Sequence, residues 1–234
     1  MKQFLKSAAR NLGYEIRRIP QHDWFEPLDL LNHLRDGANG DLENFLRYAI
    51  ANYQDSHAQL FQDLLALSLT GEKRGGFFVE FGAADGKFLS NSYLLETKFG
   101  WNGILAEPSK AWHDQLTKNR QCRIDSRCVW TTSGEMLKFS ESASNDISTI
   151  SAFKGADNLD RSDSVEYDVE TISLNDLLET HGAPKDFDYL SIDTEGSECT
   201  ILSSLDFAKW QPRIITVEHN YTSARDDIYN HLSV

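Results

Sequence analysis

Phe77-Phe78-Val79-Glu80-Phe81-Gly82-Ala83-Ala84-Asp85-Gly86, residues 77–86, reads as a buried strand that runs straight into a glycine turn. Phe77 to Phe81 is apolar and β-favouring apart from Glu80, and Gly75-Gly76 punctuates its start. Gly82 and Gly86 permit a positive φ or a close approach of backbone to ligand. A helical segment follows. Strand, glycine turn and helix are how α/β proteins build a nucleotide site at the carboxyl edge of a parallel sheet. The spacing is Glu-x-Gly-x-x-x-Gly rather than Gly-x-Gly-x-x-Gly. A carboxylate at the turn suits an ammonium group or ribose hydroxyls and repels phosphate. The stretch therefore predicts a nucleoside that carries a cation, not a pyrophosphate.

Downstream, the pattern repeats. Ser90-Asn91-Ser92 starts a helix, and Asn91 either caps it or reaches a ligand. Gly103-Ile104-Leu105-Ala106-Glu107-Pro108 reads as a second buried strand ending in a carboxylate. Glu107 lies ~25 residues beyond Gly82, where a nucleoside-binding βαβ unit keeps its ribose acid. A ribose diol offers two donors, and one carboxylate has two oxygens to accept them. A helix is expected over Ser109–Asn119 and a third strand within Cys122–Trp130, best placed at its end, Ser126–Trp130, with Trp130 either stacking on a base or filling the core. Residues 131–172 interrupt the rhythm. Met136–Phe139 and Val165–Ile172 have strand character, and the polar run between them reads as a substrate-facing lid or wall, with Ser144–Ser151 as its contact segment. The rhythm resumes with a helix at Leu174–Thr180 and a strand at Phe187–Ile192 ending in Asp193-Thr194-Glu195. A last strand at Arg213–Val217 ends in Glu218-His219-Asn220-Tyr221, and a helix follows at Asp226–Leu232.

Upstream, residues 1–20 are basic and read as a short helix packed on its own domain or a partly disordered start, with a membrane-surface helix as the alternative. Residues 24–54 look helical, with Asp41 as a cap. Ser56-x-x-Gln59 has the form of a capping box before the apolar stripe of Leu60, Phe61, Leu64, Leu65 and Leu67, and Gly71 can stop that helix. The net charge of −13, from 36 acidic and 23 basic side chains, argues against nucleic acid as a partner, because phosphate binding needs a positive field. Cys122, Cys128 and Cys199 form no CxxC, which favours a reducing cytoplasm over a disulfide framework. No apolar run approaches the ~20 residues of a membrane span, and the start lacks the apolar core of a signal peptide.

Three strand ends, Glu80–Gly86, Asp193–Glu195 and Glu218–Asn220, bring polar groups to one sheet edge. Two chemistries are open there. Asp193 with Glu218, His219 or Asn220 can hold a hard divalent cation such as Mg²⁺ or Ca²⁺, which would lower the pKa of a substrate hydroxyl. Alternatively His219 is a general base with Asp193 beside it. A third possibility assigns neither role: His219 is satisfied structurally, Asp193 meets only a cofactor, and Glu195 and Glu198 cap the next helix.

As an ordered set, these residues resemble the FkbM-type S-adenosylmethionine-dependent methyltransferases. The resemblance rests on Gly76–Gly86, Ser90–Glu96, Gly100–Pro108, Leu190–Glu198 and Val217–Asn220, with Ser56–Leu67 similar to the family's lead-in helix, and it covers roughly 56–225. It implies an α/β class I methyltransferase fold: a Rossmann-like, mostly parallel sheet with helices on both faces. It also implies S-adenosyl-L-methionine as methyl donor and O-methylation of a sugar, glycan or small hydroxylated metabolite. The donor site then falls on Glu80, Gly82, Ala83, Ala84, Asp85, Gly86, Asn91, Glu107, Pro108, Trp130 and Asp193. Glu80 or Asp85 would meet the methionine end and Glu107 the ribose. His57 or Gln59 would lie in a covering helix. The expected organisation is a helical N-terminal extension, 1–55, and a methyltransferase domain, 56–234. The class I fold continues with two more strands, so a C-terminal strand pair is expected to be missing, and the open edge of the fifth strand invites a homo-oligomer. A nicotinamide-dependent dehydrogenase would want the absent Gly-x-Gly-x-x-Gly. A binding or assembly protein on the same fold is the other alternative.

Overall fold

The computed structural model describes residues 40–142, 148–155, 161–220 and 222–233. The basic segment 1–20, the first part of the 24–54 helical region, the first half of Ser144–Ser151 and Tyr221 lie outside the described residues. The chain divides into two compact units, Met1–Tyr53 and Gln54–Val234. The first contains α1 (Gly40–Asn52), whose opening turn carries Asp41 and Glu43. Acids there complement the positive end of the helix dipole.

The second unit runs α2 (Gln62–Thr70), β1 (Phe77–Phe81), α3 (Tyr93–Phe99), β2 (Asn102–Ala106), α4 (His113–Asn119), β3 (Arg123–Asp125) and β4 (Cys128–Trp130). It continues with β5 (Met136–Glu141), β6 (Thr149–Ile150), β7 (Val165–Ser173), α5 (Leu174–Thr180), β8 (Tyr189–Ile192), α6 (Glu198–Ser203), β9 (Ile214–Val217) and α7 (Ala224–Leu232). Five of these strands form one sheet, in the order β3-β2-β1-β8-β9, and every neighbouring pair is parallel. The chain leaves β1 toward β2 on one side and later returns to place β8 on the other. This reversal opens a crevice at the carboxyl ends of β1 and β8. The register aligns Phe81 with Ala106 and Ile192, and Ile192 with Val217. Gly82, Glu107, Asp193 and Glu218 are therefore the first residues beyond four adjacent strand ends.

Strand alternation sorts the two faces of the sheet. Val79, Phe81, Ile104, Ala106, Leu190 and Ile192 enter one core cluster with Leu174, Leu177 and Leu178 of α5, Ile201 and Leu202 of α6, and Ile228 of α7. Phe78 and Glu80 face the other way, where the Arg120 guanidinium lies 5.3 Å from the Phe78 ring centroid. Fully burying one such Phe or Leu side chain stabilises the fold by about 1.5–3 kcal/mol.

Two expectations are corrected here and one is extended. The third strand of the main sheet lies within Cys122–Trp130 but is Arg123–Asp125, not its end at Ser126–Trp130; Cys128–Trp130 pairs instead with β7. The strands expected at Met136–Phe139 and Val165–Ile172 form, as β5 and β7. β4, β7, β5 and β6 make a second sheet, in which β5 and β7 pair antiparallel over Met136↔Glu170 to Glu141↔Val165. The long polar run between these strands hid a pairing that tertiary contact selects. Finally, no capping box forms at Ser56-x-x-Gln59, because α2 starts at Gln62. Ser56 Oγ donates to Asp63 Oδ1 (2.5 Å), and Asp63 also accepts from the His57 and Leu64 N–H groups. The buried Asp63 carboxylate does the capping, and burial pushes its pKa up to about 6. Gly71 ends α2 with φ 61°, as expected.

Candidate active site

The crevice between β1 and β8 opens into a cavity of ≈ 280 Å³. The main sheet supplies its polar rim through Gly82, Ala84, Glu107, Asp193, Thr194, Glu195, Glu218 and Asn220. The second sheet supplies an apolar wall of Cys128, Val129, Phe139 and Ile150, while Gln59, Phe88, Leu89, Pro108 and Trp112 close the remainder. The two sheets are tied together at the rim. Glu141, at the end of β5, accepts from Ser109 Oγ (2.5 Å), Ala111 N (3.2 Å) and Tyr167 Oη (2.9 Å). Thr149 Oγ1 donates to the Glu195 carbonyl (2.9 Å), and Arg161 Nη2 pairs with Glu195 Oε2 (3.0 Å).

Glu107 organises the β1–β2 side of the cavity. One carboxyl oxygen accepts from Ala84 N–H and the other from Ser109 N–H, both at 2.8 Å. The residue is buried, and that desolvation pushes its pKa up to about 7 despite the two N–H donors. Gly82 is required for a different reason from close approach to a ligand. Its φ is 76°, and a Cβ there would overlap the Asp193 carbonyl oxygen, so glycine lets the ends of β1 and β8 cross. Four non-glycine residues with positive φ line the cavity: Ala84 (46°), Leu89 (55°), Glu195 (58°) and Asn220 (46°). Each such conformation costs on the order of 1 kcal/mol or more, and such residues gather at functional sites.

Across the cavity, the Asp193 and Glu218 carboxyls each have an oxygen within 4.8 Å of the other. Burial is the main cause that raises both pKa values; Asp193 raises that of Glu218 further, whereas Glu218 lowers that of Asp193, which Glu198 and Glu80 raise. Glu218 Oε2 is buried and has no hydrogen-bond partner. Glu195 is neutralised by Arg161 and accepts from Asn220 Nδ2 at 3.1 Å. One oxygen each of Asp193, Glu195 and Glu218 lies within 4.8 Å of the others. Asn220, the third ligand expected with Asp193 and Glu218, lines the same cavity and donates its amide N–H to Glu195.

Of the predicted residues, Gly82, Ala84, Glu107, Pro108, Asp193, Glu218 and Asn220 converge on the cavity, as does Gln59. Others stand outside its lining. Glu80 is buried in a polar network, accepting from Ser90 Oγ, Asn91 N (2.7 Å) and Ser92 Oγ, with Arg120 Nη1 at 3.8 Å. Asn91 donates its side-chain amide to Ser191 Oγ (2.9 Å). Ala83 is buried, and Asp85 caps the turn through Lys87 and Phe88 N–H. Gly86 makes room for Leu116 and Arg120. Trp130 meets Phe153 edge-on, and the tryptophan at the cavity is Trp112. His57 stacks on Tyr93. His219 lines two separate clefts beside α7 rather than the cavity. Phe139 and Cys128 are not singled out in the sequence, because they reach the site only through the second sheet, whereas Ser148 and Ile150 of the cavity lining fall in the expected contact segment Ser144–Ser151.

The acidic rim fits S-adenosylmethionine chemically, since a ribose diol needs acceptors and a sulfonium and an ammonium need anions. No helix among the described residues is long and apolar enough to cross a membrane. No curated protein sequence matches the chain significantly. A solved structure, methyltransferase FkbM from Methylobacillus flagellatus KT at 2.20 Å, is similar at 12% identity with a TM-score of 0.45; the match covers 100% of this chain and 64% of that one. The chain thus spans less than two thirds of that neighbour's length. The methyltransferase FkbM domain model matches residues 80–232, well over half of the sequence. By that match the chain belongs to the FkbM methyltransferase family.

Proposed function

We propose that this protein is a cytoplasmic S-adenosyl-L-methionine-dependent O-methyltransferase acting on a sugar, glycan or small hydroxylated metabolite, and not on nucleic acid. The observation that carries this reading is the single cavity shared by the buried Glu107 carboxylate and the Asp193–Glu218 pair at the sheet's reversal point. S-adenosyl-L-methionine supplies an electrophilic methyl group on sulfur. Glu107 accepts hydrogen bonds from the ribose hydroxyls, and the Gly82–Ala84 turn holds the backbone close to the nucleoside. The Asp193–Glu218 pair orients the acceptor hydroxyl and takes its proton as the oxygen–methyl bond forms and the sulfur–methyl bond breaks. A carboxyl pair with raised pKa is a stronger base than an ordinary carboxylate, which suits that task. Alignment of acceptor and methyl group is the larger part of catalysis in such a displacement.

A divalent cation at Asp193, Glu195 and Glu218 is the second reading, favoured by the closeness of their oxygens. The Arg161 pairing already occupies Glu195, which leaves two carboxyls for a hard ion and weighs toward the proton-acceptor role. Transfer of isotopically labelled methyl to a panel of neutral glycosides and polyols, with and without EDTA, tests both. EDTA-resistant transfer that falls ~10²–10⁴-fold in Glu218→Gln, with S-adenosylhomocysteine still bound, is expected. Failure to bind S-adenosylmethionine or S-adenosylhomocysteine at millimolar concentration would refute the methyltransferase reading, and strict Mg²⁺ dependence would refute the metal-free base.

A further inference from the structure

The cavity has a lopsided charge balance. Among the described residues, four carboxyl side chains line it, from Glu107, Asp193, Glu195 and Glu218, and no lysine, arginine or histidine does. Arg161, behind Glu195, is 4% exposed and neutralises that one carboxylate at 3.0 Å. Glu107 is held by two backbone N–H groups, which carry no net charge. The Asp193 and Glu218 carboxyls each have an oxygen within 4.8 Å of the other, with no cationic side chain between them among the described lining residues, and Glu218 Oε2 has no hydrogen-bond partner. Excess negative charge enclosed by apolar walls such as Phe139, Ile150 and Trp112 is poorly screened by water, so a positive charge brought in by a ligand is worth more there than in solvent.

We infer that this cavity discriminates by charge between the methyl donor and the spent product, and that the Asp193–Glu218 pair is the discriminating group. The inference rests on the donor-site reading above. Methyl transfer turns a sulfonium into a neutral thioether, while the methyl group goes to the acceptor oxygen and the acceptor's proton goes to the carboxyl pair. Both changes remove the attraction: the ligand loses its positive charge and the pair loses its negative one. Product is thereby released from a site that holds the donor. The same charge repels anions, so an adenosine ligand bearing phosphate is rejected even though Glu107 accepts its ribose.

Calorimetry in EDTA-containing buffer at one pH tests this with ligands that share the adenosyl group. They are S-adenosylmethionine, the analogue carrying an amine in place of the sulfonium, neutral S-adenosylhomocysteine and adenosine 5′-monophosphate. The expected order is both cations tighter than the thioether by about tenfold or more, and the phosphate weakest. In Glu218→Gln and Asp193→Asn, isosteric changes that remove charge, the cation preference falls to about threefold or less, while S-adenosylhomocysteine affinity stays close to wild type. That retained affinity also shows that the variants are folded. Equal binding of cation and thioether by the wild type, or an undiminished preference in both variants, overturns the inference and leaves the donor site standing. Binding of none of the adenosyl ligands overturns the donor site itself.

Discussion

Glu107→Gln separates the donor-site reading from a merely structural one. In the ligand-free protein, burial lifts this carboxyl from 4.5 to about 7. A raised acid adds stability that is fully present below its unfolded value of 4.5 and is lost as pH rises through about 7. Ionising it in the folded state therefore costs about 3 kcal/mol by high pH. Ribose hydroxyls donating to the carboxylate would offset that cost, since hydrogen bonds to the charged form lower the pKa. If binding restores the value to 4.5, linkage makes an adenosyl ligand about tenfold tighter at pH 8 than at pH 6, with a proton released on binding. Adenosine is the suitable probe, because it has no group titrating in that window. Calorimetry in two buffers of different ionisation enthalpy gives both the affinity and the proton count. Gln keeps one acceptor oxygen and loses the charge, so it should bind about 30-fold more weakly at pH 8, a loss of ~2 kcal/mol, with no pH dependence. Urea unfolding of the ligand-free variant should lose part of the wild type's decline in stability from pH 5 to 8. Wild-type affinity that is flat or falls with pH, or a Gln variant that binds adenosine as tightly as wild type, would refute the reasoning.

Other perturbations distinguish fold from site. Arg120→Met strands Glu80 and Glu96 as buried, uncompensated acids, and urea unfolding should show a loss of about 3–5 kcal/mol. Gly82→Ala forces a side chain to φ 76° against the Asp193 carbonyl; a loss of ~2 kcal/mol or more in thermal unfolding is expected, and an unchanged melting temperature would count against the close strand crossing. His219→Asn should leave methyl transfer within about threefold of wild type, under ~0.7 kcal/mol of barrier, because the residue lines clefts beside α7. A loss of a hundredfold would restore His219 as the base.

Much of the donor half was legible because it depends on local order. A strand followed by glycine, and an acid at the end of the next strand, are adjacent in the chain and repeat with the βα rhythm. Glu107 reached its place because β1 and β2 pair in parallel with Phe81 opposite Ala106. Glu80 was misjudged for the opposite reason. Its partner Arg120 follows α4, and nothing near residue 80 announces a buried guanidinium. Trp130 and Trp112 look alike in sequence, but β4 leaves the main sheet and turns Trp130 toward Phe153, while the turn before α4 brings Trp112 to the cavity.

The sequence by itself determined the parallel βα architecture, the acidic edge and the family. Hydrophobic period, glycine punctuation and the type of the residue ending each strand are all written along the chain. Tertiary structure alone decided what those acids do. The antiparallel union of β5 and β7, across the intervening polar run, builds the apolar wall that encloses them. The pairing of β8 with β9 brings Asp193 beside Glu218 and leaves His219 outside. Charge in a protein acts through distance and burial, and both are set by contacts between segments that the sequence keeps far apart.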